Sequence, residues 1–177
     1  HSRHVAGIGM RAFSRTPPVS PRTRPGFALR GLLEGNAAVR DRDLAAAVKA
    51  YDRALIADPG NAHAWNNKGV VLDALGRGAE ALKCLNRAIT LRPKSVEAWV
   101  NKGVALLHLG NFEQARAALD VALELAPGNE LVWLNRGILL ARQGRHGDAR
   151  ACFVRALEAD PDYALALMNK GSALAQL

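Results

Sequence analysis

The chain has 177 residues, 49% of them hydrophobic and 23% charged, a balance that is normal for a folded protein. No apolar run approaches the roughly 20 residues that a membrane-spanning helix needs, so we expect no membrane span. The formal net charge of +8 is uneven, because five arginines precede residue 28 with no acid among them. The other 19 basic residues face 16 acidic ones, which argues against a basic nucleic-acid-binding surface on the folded part.

Residues 1–27 form a tail that shares nothing with the rest of the chain. Proline at positions 17, 18, 21 and 25 excludes a long helix there, and the serine- and arginine-rich composition favours an extended or disordered segment. Three alternatives stay open for this tail: a solvated segment, an organellar transit peptide starting at Met10, or a segment bound in the groove of a neighbouring molecule. Residues 1–9 are open to interpretation as a vector remnant.

From residue 28 onward the sequence repeats every 34 residues. Four residue types return at this interval: Trp65, Trp99 and Trp133; Asn67, Asn101, Asn135 and Asn169; Gly69, Gly103, Gly137 and Gly171; Pro59, Pro93, Pro127 and Pro161. A period of this length is typical of a stack of small units rather than one globular core. The predicted units are a degenerate repeat at 28–61, full repeats at 62–95, 96–129 and 130–163, and a closing helix or truncated repeat at 164–177.

Each unit is predicted to be a pair of helices. In residues 62–95 the apolar positions recur at spacings of three and four, which indicates one helix before Gly76 and a second from about Ala79 to Leu91. Gly76 suits the left-handed residue that ends a helix, and Pro93 prevents the second helix from continuing. The small residues Gly69 and Ala81 are expected where the two axes approach. One such hairpin cannot bury its apolar face alone, so neighbours must stack.

The pattern of the full repeats resembles the tetratricopeptide repeat family. Three copies carry it: Trp65, Gly69, Ala81, Leu85, Ala88 and Pro93; Trp99, Gly103, Ala115, Leu119, Ala122 and Pro127; Trp133, Gly137, Ala149, Phe153, Ala156 and Pro161. The resemblance implies an all-α fold, a right-handed superhelical solenoid of antiparallel helix hairpins with a concave groove. One departure is a basic residue where the family has leucine, at Lys68, Lys102, Arg136 and Lys170. Their stems are expected to lie along apolar surface with the charge in water.

The resemblance also implies which first-helix side chains line the groove: Asn67, Val70, Asp73, Val100, Asn101, Val104, Leu107, His108, Leu134, Asn135, Ile138, Arg142, Met168 and Asn169. Their aliphatic members predict an exposed apolar patch, which usually marks a partner site. The periodic asparagines are suited to binding a peptide backbone, or alternatively to hydrogen bonding within the scaffold. Chaperone-binding members hold a C-terminal carboxylate with a lysine at the fifth position of a repeat. Here the fifth positions carry other residues, so we expect no binding of EEVD-type tails.

Catalytic chemistry is not indicated. The histidines lie in different repeats without a second ligand at metal spacing, and no serine or cysteine has a convincing base beside it. We therefore expect no enzyme activity, no metal and no cofactor. Cys84 and Cys152 occupy the same position in non-adjacent repeats and are expected to be reduced packing residues, which fits a cytoplasmic location.

These patterns favour a non-catalytic scaffold that binds a protein partner, either a peptide or an amphipathic segment, in the concave groove. Two alternatives remain. The open C-terminal end at 164–177 suits a homo-oligomerisation module, because terminal repeats normally need a polar outer face. The chain also suits the regulatory fragment of a larger enzyme.

Overall fold

The computed structural model describes residues 25–163, and within this range the chain is all-helical. Eight described helices follow one another: α1 (Pro25–Arg40), α2 (Leu44–Ala57), α3 (Ala62–Ala74), α4 (Gly78–Leu91), α5 (Val96–His108), α6 (Phe112–Leu125), α7 (Glu130–Arg142) and α8 (His146–Ala159). The predicted all-α fold of helix hairpins is confirmed. The helix expected at 164–177, on which self-assembly through the open end depends, and residues 1–24 of the predicted tail lie outside the described residues.

The helix ends follow from local chemistry. The first helix of three hairpins stops at a glycine with positive φ: Gly76 (75°), Gly110 (77°) and Gly144 (76°). The first hairpin has Arg42 at the equivalent position, with a φ of 61°. α1 begins at Pro25, three residues before the predicted first repeat, which is possible because the first turn of a helix tolerates proline.

The chain divides into two compact units, residues 1–101 and 102–177, with the boundary inside α5. In the first unit α1 pairs with α2 and α3 pairs with α4, while Val96–Asn101 of α5 follow. Leu32 and Tyr51 of the first hairpin share one apolar cluster with Val71 of the second, which shows that the two hairpins bury one another's faces. A Cβ on Gly69 would lie 2.7 Å from Cγ of Leu85, so α3 and α4 approach as the sequence predicted.

In the second unit the end of α5 packs on α6, and α7 pairs with α8. Gly103 meets Leu119 as Gly69 meets Leu85, with 2.8 Å from an added Cβ to Cγ. Gly137 instead faces the ring of Phe153, which is 1% exposed. The spacing of the two helices in each hairpin therefore depends on a missing Cβ at the same position of the repeat.

The tryptophans and prolines of the repeat are linked by hydrogen bonds that sequence reasoning missed. The indole Nε1 donates to a proline carbonyl six residues earlier in all three cases: Trp65 to Pro59 at 2.9 Å, Trp99 to Pro93 at 2.8 Å and Trp133 to Pro127 at 2.7 Å. An indole N–H needs a partner when its ring is partly buried. The bond ties each first helix to the turn before it, which accounts for the shared period of the two residue types.

The basic residues before the glycine are not simply solvated, and this expectation was wrong for Lys68 and Arg136. Lys68 Nζ lies 2.6 Å from Oδ1 of Asp52 and 5.7 Å from the centroid of the Trp65 ring. Arg136 pairs with Asp120 in the same way. In both cases the carboxylate belongs to the second helix of the preceding hairpin, where it partly neutralises a cation held close to apolar surface.

Cys84 and Cys152 are free and buried, as predicted for packing residues. Burial raises the pKa of both thiols, which keeps them protonated and unreactive. None of the described helices is both long enough and apolar enough to cross a bilayer.

Candidate functional site

The predicted groove residues that the structure describes all lie on the first helices of the hairpins. In the first unit, Asn67, Val70 and Asp73 lie on α3, and Val100 and Asn101 lie on α5. In the second unit the set comprises Val104, Leu107 and His108 on α5 and Leu134, Asn135, Ile138 and Arg142 on α7. Met168 and Asn169 lie outside the described residues.

The asparagines of the first unit form a chain of side-chain hydrogen bonds between helices. Asn101 Nδ2 donates to Oδ1 of Asn66 at 2.9 Å, and Asn66 Nδ2 donates to Oδ1 of Asn67 at 3.3 Å. Asn67 Nδ2 then donates to Oδ1 of Asn36 on α1 at 3.1 Å. Because three successive first helices contribute to the chain, it holds their relative positions. The alternative in which these asparagines bond within the scaffold is therefore realised in this unit.

Asn36 also accepts a hydrogen bond of 2.7 Å from the Tyr51 hydroxyl, so α2 joins the same network. Tyr51 is completely buried, and burial raises the pKa of its phenol far above the usual range. The tyrosine therefore stays neutral and keeps its proton available for Asn36. Only the repeat-specific tyrosine at this position distinguishes the first hairpin in the sequence, so this contact was not predictable from the 34-residue pattern.

Two asparagine side chains keep an acceptor without a donor. Asn135 Nδ2 donates to the Leu131 carbonyl at 2.8 Å, but its Oδ1 has no hydrogen-bond partner. Asn101 Oδ1 likewise has none. Both side chains are buried, at 1% and 3% exposed. A buried acceptor without a donor costs about 1–3 kcal/mol, so a pair of them at the same repeat position is unusual in a folded chain.

The expectation of an exposed apolar patch is wrong for this chain. Val100, Val104, Leu107 and Leu134 are at most 2% exposed, and even Val70 and Ile138 reach only 8% and 7%. The physical reason is that aliphatic area left in water costs about 25 cal/mol per Å², so the folded chain leaves none of these side chains open. The exposed members of the set among the described residues are the polar His108 and Arg142.

His63, at the start of α3, has the one perturbed imidazole among the described residues. Burial lowers its pKa, and the positive charge of Arg92 on the following turn lowers it further. Arg92 Nη1 contacts Nε2 of the ring, which fits a neutral imidazole that accepts a hydrogen bond. This contact joins α3 to the end of α4 within one hairpin, and it has a structural rather than a chemical role.

The described residues offer amide groups and aliphatic walls on this face. Within residues 25–163 no group of three or more histidine, cysteine or acidic side chains is arranged to hold a metal ion. The face can bind a chain through backbone hydrogen bonds and apolar contacts, since that is what its residue types provide.

Comparisons with known proteins agree with the repeat pattern. A family model described as tetratricopeptide repeat matches residues 32–95 and again 71–130, and a second model with the same description matches residues 106–177. Together they cover most of the chain. A comparison with curated protein sequences found no match.

Several solved structures have a similar fold. TTC0263, a thermophilic tetratricopeptide repeat protein of Thermus thermophilus, superposes with a TM-score of 0.74 at 23% identity over 84% of this chain and 87% of its own. The MamA protein gives 0.68 at 22% identity over 85% and 82%. The second such domain of human RPAP3, solved in complex with the HSP70 peptide SGPTIEEVD, gives 0.62 at 24% identity over 64% of this chain and 95% of that domain.

Proposed function

Because the chain belongs to the tetratricopeptide repeat family, we propose that it is a non-catalytic protein-interaction scaffold that binds an extended peptide on its first-helix face. Stacked hairpins present a row of first helices and no enclosed catalytic site, which suits the capture of another chain. The binding of HSP peptides by the RPAP3 domains supports this class of function for the fold.

The unsatisfied oxygens of Asn101 and Asn135 carry the proposal. They occupy the same position in successive repeats, and each is a buried acceptor that lacks a donor. A backbone N–H of an extended peptide supplies such a donor whatever the peptide sequence is. Satisfying a buried acceptor removes a penalty of about 1–3 kcal/mol, so these two bonds favour the bound state.

The aliphatic side chains beside the asparagines would supply apolar contact. Val100 lies next to Asn101, and Leu134 next to Asn135, on the same helices. These side chains are buried in the whole chain, so binding has to uncover the face before a peptide enters. We therefore expect affinity to be limited by that opening, as for any ligand whose binding-competent state is a minor one.

The ligand we propose is not an EEVD-type tail. Recognition of a terminal carboxylate needs cationic side chains close to it. The fifth positions of the described repeats are Leu32, Asn66, Val100 and Leu134, none of which is basic. The peptides bound by the RPAP3 domains are thus a precedent for the fold and not for the sequence that this chain selects.

The test uses peptides selected against the full chain from a random displayed library, with dissociation constants measured by fluorescence anisotropy. Asn101→Ala combined with Asn135→Ala should weaken binding about tenfold, the equivalent of about 1.4 kcal/mol. Asn86→Ala with Asn111→Ala removes two exposed amides from other positions and should leave affinity unchanged. Circular dichroism has to show equal helicity for both double variants.

N-methylation of the peptide backbone provides the sharper arm. Methylating the contacting amides should weaken binding to the wild-type chain, but it should have little further effect on the Asn101→Ala, Asn135→Ala variant. Equal losses for both proteins would show that the asparagine oxygens do not receive peptide N–H groups, and the proposal would be rejected.

A further inference from the structure

A pocket of about 350 Å³ lies within the second unit, between α6, α7 and α8. Three arginines stand around it, one from each element: Arg116 on α6, Arg136 on α7 and Arg145 at the start of α8. Leu139, Leu140 and Cys152 form its apolar floor. None of these residues belongs to the face proposed above for the extended peptide.

The arginines are paired but not saturated. Arg116 Nη2 lies 2.8 Å from Glu113, Arg145 Nη2 lies 2.7 Å from Asp148, and Arg136 contacts Asp120. Each guanidinium has five N–H donors, and the contacts with these carboxylates occupy one or two of them. Of the four acidic and basic groups that line the pocket three are cationic, and Asp148 is the only anion among them.

The cluster does not come from the repeat pattern. The positions 34 residues before Arg116, Arg136 and Arg145 hold Leu82, Lys102 and Asn111. The scaffold thus requires a basic residue at one of the three positions only, the one whose pairing with the preceding hairpin has been described. The other two arginines have no part in packing, since their side chains are 52% and 56% exposed.

We propose that this pocket binds an acidic peptide segment, with a carboxylate between the guanidiniums and an adjacent aliphatic side chain on the leucine floor. Guanidinium groups bind carboxylates through paired, charge-assisted hydrogen bonds. The floor of Leu139, Leu140 and Cys152 is buried and apolar, and it matches an aliphatic neighbour of the acid. None of the described lining residues is aromatic, so the pocket lacks the stacking surface that single-stranded nucleic acids use.

The experiment uses the full chain and a fluorescein-labelled peptide of alternating glutamate and leucine, titrated at low salt. Arg116→Gln combined with Arg145→Gln should weaken its binding about tenfold. Arg87→Gln with Arg150→Gln is the matched control, because it removes the same charge from exposed arginines outside the pocket. The control should bind as the wild type does, and so should the Asn101→Ala, Asn135→Ala variant, so this proposal and the first one fail independently.

Three outcomes would overturn the assignment. One is an equal loss of affinity in the control variant, which would indicate unspecific attraction to net charge. Another is equal binding of a peptide with glutamine in place of glutamate. The third is tighter binding of an oligothymidylate that the pocket variant abolishes, which would make the site one for nucleic acid. Should the double variant unfold, each single arginine variant should weaken peptide binding about threefold, and unchanged binding by both would reject the pocket.

Discussion

Lys68 of α3 reaches back to Asp52 of α2, with 2.6 Å between Nζ and Oδ1. The lysine side chain is only 20% exposed, and it lies over the ring of Trp65. Arg136 and Asp120 repeat this arrangement two hairpins later. A cation at this position therefore links consecutive hairpins, and it replaces the apolar contact that leucine makes in the family pattern.

This ion pair should be worth more than an ordinary surface pair. In a double-mutant cycle with Asp52→Asn and Lys68→Gln, we expect a coupling free energy of about 0.5–1 kcal/mol, near the upper end of the range for exposed pairs. The measurement is urea unfolding of the four proteins. Arg77 and Glu80 form a more exposed pair and serve as the control, with an expected coupling below about 0.5 kcal/mol. Equal couplings in the two cycles would contradict the linking role.

Arg42 should be replaceable by glycine with a gain in stability. It is exposed and has a φ of 61°, in the left-handed region that glycine adopts without strain. Relief of that strain should raise the free energy of unfolding by roughly 0.5–1 kcal/mol, after the greater freedom of glycine in the unfolded chain is subtracted. The reverse change, Gly110→Ala, should lower it by about 1 kcal/mol. A lower urea midpoint for Arg42→Gly would refute this explanation.

Gly137 should tolerate alanine less well than Gly103. An added methyl group would overlap the rigid ring of Phe153 at Gly137, whereas at Gly103 it meets the more adaptable Leu119 side chain. We expect a loss of about 3 kcal/mol for Gly137→Ala and about 1 kcal/mol for Gly103→Ala, the two ends of the usual range of about 1–3 kcal/mol for overpacking. Gly128→Ala is the control, since nothing lies within 4 Å of its added Cβ. Thermal unfolding measures all three, and similar losses at Gly137 and Gly128 would disprove the packing argument.

His63 should make stability depend on pH. Burial and the charge of Arg92 lower the pKa of the imidazole in the folded chain below its unfolded value, which is about 6.5. The folded state then binds fewer protons than the unfolded state, so this contribution is present above about pH 6.5 and is lost as pH falls through the folded pKa. His63→Gln should therefore flatten the fall in the urea midpoint between about pH 7 and about pH 5. An unchanged slope would show that other groups cause it.

The sequence by itself determined the hairpins. The 34-residue period located both helices of each repeat, and Gly76 and Gly69 took the turn and packing positions expected of them. These features depend on contacts between residues close in the chain, which apolar spacing and backbone preference specify directly. The described site residues were assigned to the correct helices for the same reason.

Only the tertiary structure decided what those side chains contact. The bonds from Asn101 to Asn66 and from Lys68 to Asp52 join different hairpins, and so does the bond from Asn67 to Asn36. Such contacts depend on how one hairpin is rotated against the next, and a repeat period contains no information about that angle. The burial of Val100 and Leu134 has the same origin, because helical spacing shows that two side chains share a face but not whether that face is open to water.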